Sequence, residues 1–254
     1  MAEKLDRTVA LITGASSGIG EATAVALAKH GATVAVAARR KDKLDELVRR
    51  IEDGGGKALA IEADVTDRAQ AEAMVGRTVE ALGRLDTLFN NAGVMLLDPI
   101  VEGPVEDWER MIDLNLKGLL YTAHAAIPHL LDAVESSPRG VADLINTSSV
   151  AGRTARVGSG VYNLTKWGVN AFSESLRQEV TERHLRIALV EPGAVATELT
   201  HHLSDAAQAR FKSSFGDVEQ LQSEDIADTV AFIVTRPRRM AINEVLVRPT
   251  QQVG

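Results

Sequence analysis

The sequence predicts an α/β protein: a single doubly wound (Rossmann) domain with a mostly parallel seven-stranded sheet and helices on both faces. Three observations predict this fold. Short, continuous apolar runs recur along the chain, as the buried strands of a parallel sheet require. Longer amphipathic segments separate these runs and supply a crossover helix between successive strands. A glycine-rich turn, residues 14–20, directly follows the first apolar run and is typical of the first crossover of such a fold.

The elements follow one another in a regular order. The first strand, 8–13, reads Thr-Val-Ala-Leu-Ile-Thr, and the Ala-rich helix after it begins at 21 and stops at Gly31. The second strand is 33–38, and the amphipathic helix 42–52 ends in three glycines. Further strands are predicted at 57–63, 85–90, 141–147, 186–190 and 243–247, and further helices at 68–82, 106–131, 159–183 and 223–234. No linker or repeat interrupts the series, so residues 1–254 are expected to form one domain.

Two segments are predicted to be irregular. Residues 132–140 precede the fifth strand and are expected to form a surface loop. Residues 197–221 have a weak helical pattern and few strong hydrophobes, which predicts a lid over a bound substrate. Leu199, His201 and Phe215 are the lid residues expected to reach a ligand.

The composition narrows the class of protein. A net charge of −7 argues against a nucleic-acid surface. The absence of cysteine excludes disulfides, thiolate metal sites and a cysteine nucleophile. His201 and His202 have no further ligand nearby at metal-binding spacing, so they are expected to face solvent and no metal site is predicted. No run before the first strand is long and apolar enough for a membrane span or a leader, and a cytoplasmic location is expected.

The glycine turn indicates a dinucleotide site. Its residues are Gly14-Ala15-Ser16-Ser17-Gly18-Ile19-Gly20, placed between a strand and a helix. Small residues let the backbone approach a pyrophosphate, and the helix N-terminus offers unpaired amide groups to its charge. Ser16 and Ser17 are further candidate phosphate contacts.

A tyrosine and a lysine four residues apart indicate proton-transfer chemistry. Tyr162 and Lys166 share one face of the helix predicted at 159–183, one turn apart. A free phenol has a pKa near ~10, and an adjacent ammonium is expected to lower it. Ser149 lies at the end of the fifth strand, where its hydroxyl can meet the phenol over a substrate oxygen. Alone, the pair is equally compatible with an ordinary exposed helix.

These motifs together resemble the short-chain dehydrogenase/reductase family, over nearly the whole chain. They occur in the family's order and near its spacings: Thr13-Gly14-x-x-x-Gly18-Ile19-Gly20, Asp64-Val65, Asn90-Asn91-Ala92-Gly93, Asn115, Ser149, Tyr162-x-x-x-Lys166 and Pro192-Gly193. The segments 172–180 and 242–250 resemble the NADP-dependent branch that includes serine/3-hydroxy-acid dehydrogenases and the aldehyde reductase of clavulanic acid synthesis.

The resemblance implies hydride transfer between a nicotinamide and a carbonyl or alcohol substrate. It implies four catalytic residues: Asn115, Ser149, Tyr162 and Lys166, with Asn115 holding a water that links Lys166 to solvent. It also implies cofactor contacts at Gly14, Gly18, Ile19, Gly20, Asp64, Val65, Asn91, Ala92, Gly93, Tyr162, Lys166, Pro192, Gly193, Val195 and Thr197. The family frequently assembles as homotetramers or homodimers, so self-association is expected.

The end of the second strand favours NADP(H) over NAD(H). An NAD enzyme of this fold places an acidic side chain there to hold the ribose hydroxyls. This chain has Arg39 and Arg40 instead, and no acid occurs from Ala22 to Lys41. A guanidinium donates planar, charge-assisted hydrogen bonds to a 2′-phosphate.

Three functional hypotheses follow. The first is an NADP(H)-dependent ketone or aldehyde reductase. The second is a 3-hydroxy-acid or hydroxy-amino-acid dehydrogenase, which needs a cation for the substrate carboxylate; Arg153 and Arg156 are candidates. The third is a nucleotide-sensing regulator without chemistry, although such a protein can lose the Ser, Tyr or Lys that this chain retains.

Overall fold

The computed structural model describes residues 4–216 and 218–253, without the side chains of residues 214 and 215. Residues 1–3, 217 and 254 of the predicted domain therefore lie outside the described residues, as does the Phe215 side chain of the predicted lid. Within 4–216 and 218–253, no helix has both the length and the apolar character needed to cross a bilayer.

Seven strands form one sheet, and every pairing is parallel. The strand order is β3-β2-β1-β4-β5-β6-β7, so the chain reverses its winding direction between β1 and β4. The predicted fold class is confirmed. The strands are β1 (Val9–Thr13), β2 (Thr33–Ala38), β3 (Lys57–Glu62), β4 (Thr87–Asn90), β5 (Ala142–Thr147), β6 (Leu185–Pro192) and β7 (Glu244–Val247).

Eight α-helices lie among the described residues, and most begin or end within three residues of the predicted bounds. They are α1 (Gly18–Lys29), α2 (Lys41–Asp53), α3 (Arg68–Leu82), α4 (Val105–Ile112), α5 (Leu119–Ser136), α6 (Gly160–Val180), α7 (Asp205–Phe215) and α8 (Ser223–Val234). The apolar sides of α1, α2 and α8 cover one face of the sheet, and those of α3, α5 and α6 cover the other. The central strand β1 is buried on both faces and is apolar from Val9 to Ile12 for this reason. Strand β5 is mostly buried too, but it carries the polar residues Asp143 and Asn146.

The helix predicted at 106–131 contains a π-helical turn. Asp113–Gly118 joins α4 to α5 with helical backbone angles at both ends. Gly118 lets this turn approach the loop after β3, because a Cβ there would lie 2.9 Å from a methyl carbon of Val65. The surface loop expected at 132–140 is partly wrong, since α5 continues to Ser136 and Arg139 is buried.

Arg139 belongs to a buried ionic cluster at the amino-terminal end of β5 and β6. Asp143 accepts hydrogen bonds from Arg139 at 3.1 Å and from Arg186 at 2.7 and 3.0 Å. Both guanidiniums also donate to the carbonyl of Val234, the last residue of α8. Two buried cations therefore share the carboxylate of Asp143, and their bonds to Val234 tie the sheet to the end of a helix.

We expect Asp143→Asn to destabilise the protein by about 3–5 kcal/mol, because it removes the carboxylate charge that both buried guanidiniums bind. Urea denaturation at neutral pH measures this loss. Glu72→Gln is the matched control: it breaks the exposed pair with Arg68 and should cost less than about 1 kcal/mol. A loss for Asp143→Asn as small as that of the control would contradict the assignment.

Candidate active site

A large cavity, of about 920 Å³, gathers most of the predicted site residues at the carboxyl ends of the strands. Ligands of doubly wound folds bind at this edge, where the winding direction reverses. Eighteen of the nineteen predicted cofactor-contact residues line the cavity, and Gly20 does not. Of the four predicted catalytic residues, Ser149, Tyr162 and Lys166 line it and Asn115 does not.

The glycine turn is shaped for close approach by a ligand. Gly14 and Gly18 have φ of +65° and +58°, a region that side chains disfavour. No described side chain caps the N-terminus of α1, so its first amide groups remain available to an anion. Gly20 has a packing role, and its predicted contact with a cofactor stays a prediction. A Cβ there would lie 2.5 Å from the carbonyl oxygen of Gly14, so Gly20 lets α1 pack under the turn.

The Asn91 side chain, just after β4, hydrogen-bonds to the backbone at the start of the glycine turn. Its amide nitrogen donates to the carbonyl oxygens of Thr13 at 3.2 Å and Gly14 at 3.4 Å. The Asn91 side chain thus joins β4 to the loop after β1. The predicted contact between Asn91 and an adenosine stays a prediction.

Ser149, Tyr162 and Lys166 converge where β5 meets α6. Lys166 Nζ donates to the carbonyl oxygen of Thr147 at 2.8 Å and lies 5.8 Å from the centre of the Tyr162 ring. Ser149 begins a short 3₁₀ turn, Val150–Gly152, and its hydroxyl accepts from the amide of Ala151 at 3.1 Å. All three side chains are buried, so small movements among them are restrained by packing.

The expectation of an acidified phenol is wrong for this structure. Burial raises the pKa of Tyr162 to about 12, and a hydrogen bond with Ser149 opposes part of the rise. Burial also lowers the pKa of Lys166 to about 8. Loss of hydration disfavours the charged form of each group and outweighs any attraction between them. At neutral pH the phenol is therefore protonated and able to donate.

Asn115 lies in the π-helical turn beneath the cavity floor. Its side-chain oxygen accepts from the amide of Val94 at 2.8 Å, and its nitrogen donates to the Val94 carbonyl at 2.9 Å and to the Thr165 hydroxyl at 3.2 Å. These bonds connect the loop after β4 with α6. A π-helical turn often marks a functional site. The predicted water-holding role of Asn115 stays a prediction.

The two arginines after β2 line the same cavity. Arg40 donates to the hydroxyls of Ser16 at 3.0 Å and Ser17 at 2.9 Å. Arg39 is largely exposed, and its Nη1 lies 3.9 Å from a carboxylate oxygen of Asp64. Cationic donors and serine hydroxyls together suit a phosphate group.

The predicted lid forms a wall of the cavity. Thr197 caps a 3₁₀ turn, Glu198–His202, and α7 follows. Leu203 and Ala207 are buried in one cluster with Met95 and Tyr162. Arg210 of α7 donates to the carbonyl of Leu97 at 3.1 Å, which ties the lid to the loop after β4. His201 and His202 are exposed, as expected, and both also line the open cavity.

The two candidate cations for a substrate carboxylate are placed differently. Arg153 points to Glu191, which it binds at 2.7 Å, and to Glu244, and it does not line the cavity. Arg156 lines the cavity, and no carboxylate among the described residues pairs with it. Apolar side chains that line the same cavity include Leu97, Leu199 and Phe211.

The sequence interpretation missed several cavity residues, and two of them, Glu198 and Gln252, make polar contacts that shape the site. Glu198 binds Arg40 at 3.0 Å across the cavity mouth. Gln252 accepts from the amide of Ala194 at 2.9 Å and so braces the loop after β6. An acid inside a weakly patterned lid and an amide after the last strand carry no local signal, because their partners are 158 and 58 residues away.

Comparison with known proteins identifies the family to which this chain belongs. A family model described as short chain dehydrogenase matches residues 8–208. The uncharacterized oxidoreductase Lin0452 of Listeria innocua is 38% identical over 246 residues, which are 96% of this chain and 97% of that protein. The glycine betaine reductase ATRR of Emericella nidulans is 37% identical over 98% of this chain, which spans only 19% of that longer protein.

A solved structure resembles the whole fold. The closed form of a serine dehydrogenase complexed with NADP+ superposes with a TM-score of 0.88 at 30% identity. The match covers 97% of each chain, so it includes both the sheet and the lid region.

Proposed function

The chain belongs to the short-chain dehydrogenase family of oxidoreductases, and from this membership we propose that it is an NADP(H)-dependent reductase of ketones or aldehydes. The observation that carries the proposal is the convergence of Ser149, Tyr162 and Lys166 in one cavity with the glycine turn. A hydroxyl, a protonated phenol and an ammonium supply what carbonyl reduction needs beside a hydride donor.

The residues present fit an NADP(H) cofactor. The glycine turn and the start of α1 suit the pyrophosphate, because Gly14 and Gly18 line the cavity and no described side chain caps the first amide groups of α1. Arg39, Arg40 and Ser16 suit the 2′-phosphate, and Lys166 suits the nicotinamide ribose. When bound, the cofactor supplies the hydride.

Three side chains carry out the other steps of the proposed reduction. The hydroxyls of Ser149 and Tyr162 donate hydrogen bonds to the substrate carbonyl oxygen and polarise it. As negative charge grows on that oxygen, the Tyr162 hydroxyl transfers its proton to it. The Lys166 ammonium, held by the Thr147 carbonyl, stabilises the phenolate that remains. The carbonyl carbon gains the hydride, and the product is an alcohol.

A second function, dehydrogenation of a 3-hydroxy acid or hydroxy-amino acid, is favoured by one observation. Arg156 lines the cavity without a carboxylate partner among residues 4–216 and 218–253, and a guanidinium binds a substrate carboxylate well.

The test follows nicotinamide absorbance with a panel of ketones and aldehydes and then with 3-hydroxy acids. Turnover only of the acids would favour the second function, and cofactor binding without turnover in either panel would favour a sensor.

Self-association is part of the proposal. Leu120 of α5 and Leu164 and Trp167 of α6 are large apolar side chains exposed on adjacent helices. Covering such a surface against a second copy removes apolar area from water. Light scattering measures whether a homodimer or a homotetramer forms.

We expect Tyr162→Phe to lower kcat for carbonyl reduction by at least about 10²-fold, since it removes the proton donor and keeps the ring. The Kd for NADPH should change by less than about twofold, because the hydroxyl is proposed to act on the substrate. Steady-state assays measure kcat, and fluorescence titration measures the Kd for NADPH. Tyr121→Phe alters the only other tyrosine and is the control. A Tyr162→Phe enzyme as fast as the parent would remove Tyr162 from the chemistry.

The rate of reduction should fall as pH rises above about 8. The Lys166 pKa is lowered to about 8, so its charged form is present below that pH and is lost above it. The phenol, with its pKa raised to about 12, stays protonated across this range. Profiles of kcat/KM between pH 6 and 10 measure the effect, and a flat profile to pH 10 would contradict the role given to the ammonium.

We expect Arg39→Asp combined with Arg40→Ile to shift cofactor preference toward NADH. Two charge-assisted contacts of ~1.5–3 kcal/mol each amount to a ~100-fold change or more in the NADPH/NADH ratio of kcat/KM. The control is Lys43→Ile, because Lys43 is a cation of α2 that is about half exposed and pairs with Glu46. An unchanged ratio in the double variant would exclude the arginines as phosphate ligands.

A further inference from the structure

An acidic side chain from the lid occupies donors that face the proposed phosphate site. Glu198 Oε2 lies 3.0 Å from Arg40 Nη2, 158 residues away in sequence. Hydrogen bonds from Arg40 and Ser17 hold the pKa of the Glu198 carboxyl below its usual range, so the group is ionised at neutral pH. A carboxylate therefore lies at the mouth of the cofactor cavity.

More acceptors surround the Nη2 nitrogen of Arg40 than that nitrogen has hydrogens to donate. Nη2 carries two hydrogens, yet it lies within 3.3 Å of the Ser16 carbonyl, the Ser16 and Ser17 hydroxyls and Glu198. An incoming phosphate would have to displace one of these partners or approach from the other side of the same guanidinium. In both cases a second anion lies beside the phosphate, and like charges repel.

We infer that Glu198 is a specificity-determining residue that competes with the cofactor's 2′-phosphate for Arg40 and thereby weakens the preference for NADP(H) over NAD(H). The inference rests on the proposed function, in which Arg40 binds that phosphate. Because NADH has no 2′-phosphate, the competition acts on NADPH alone. The first turn of the lid thus tunes cofactor choice from outside the strand end that normally sets it.

The expected size of the effect is modest. Arg40 and Glu198 are both about half exposed, and exposed ion pairs are weak because water and salt screen them. Removal of the carboxylate charge should therefore lower the KM for NADPH by about two- to fivefold.

The test compares Glu198→Gln with the parent enzyme, using one carbonyl substrate and either cofactor. Glutamine keeps the shape and removes the charge. We expect the KM for NADPH to fall about two- to fivefold while the KM for NADH stays the same. Glu72→Gln, which removes an exposed carboxylate paired with Arg68 far from the cavity, should alter neither value.

A double-mutant cycle separates this inference from the phosphate clamp itself. Arg40→Met alone should raise the KM for NADPH, and adding Glu198→Gln to it should lower that KM by less than Glu198→Gln lowers it in the parent enzyme. If Arg40→Met raises the KM but Glu198→Gln leaves it unchanged, the inference is wrong and the clamp stands. A rise in the KM for NADH in Glu198→Gln would also overturn it, because the carboxylate would then hold the ribose hydroxyls. If Arg40→Met has no effect on NADPH, both the clamp and the inference fail.

Discussion

The hydrogen bond from the Lys166 ammonium to the Thr147 carbonyl fixes the geometry on which the proposed chemistry depends. It ties α6 to the end of β5, and Ser149 follows Thr147 by two residues. Asn163, one residue after Tyr162, adds a second tie through bonds to the carbonyls of Ala151 at 2.7 Å and Thr154 at 2.8 Å. Helix and strand end therefore move together, so serine, tyrosine and lysine keep their mutual positions. Preorganisation of this kind lets hydrogen-bond donors meet a growing charge without reorganising.

Much of the fold and of the cavity lining was predictable, because it depends on local patterns. Continuous apolar runs identify strands buried on both faces, and glycine stops identify helix ends. Motif residues at the carboxyl ends of the strands gather at one edge of the sheet, because all the strands are parallel. The residues that escaped prediction depend on distant partners. Arg139 is buried because Asp143 and the end of α8 accept its hydrogen bonds. Glu198 reaches Arg40 only once the lid is folded over the turn.

The protonation states could not be predicted either, and the reason is physical. Spacing along a helix shows that Tyr162 and Lys166 are neighbours, but the cost of removing each from water depends on everything packed around them. In the structure that cost dominates for both groups. A neutral phenol at physiological pH suits donation to a carbonyl, whereas abstraction of a proton from an alcohol requires the phenolate. The buried pair therefore fits reduction better than oxidation near neutral pH.

The π-helical turn at Asp113–Gly118 has an evolutionary consequence. Such a turn holds one residue more than the regular spiral, as an ancestral insertion would leave it. Excising a single residue there would restore regular α-helical geometry and change the faces that the residues within the turn present, while α4 and α5 keep their orientation. Asn115 would then leave the Val94 backbone, and Gly118 would no longer face Val65. Lineages that lengthen or shorten this stretch should therefore do so elsewhere along the helix.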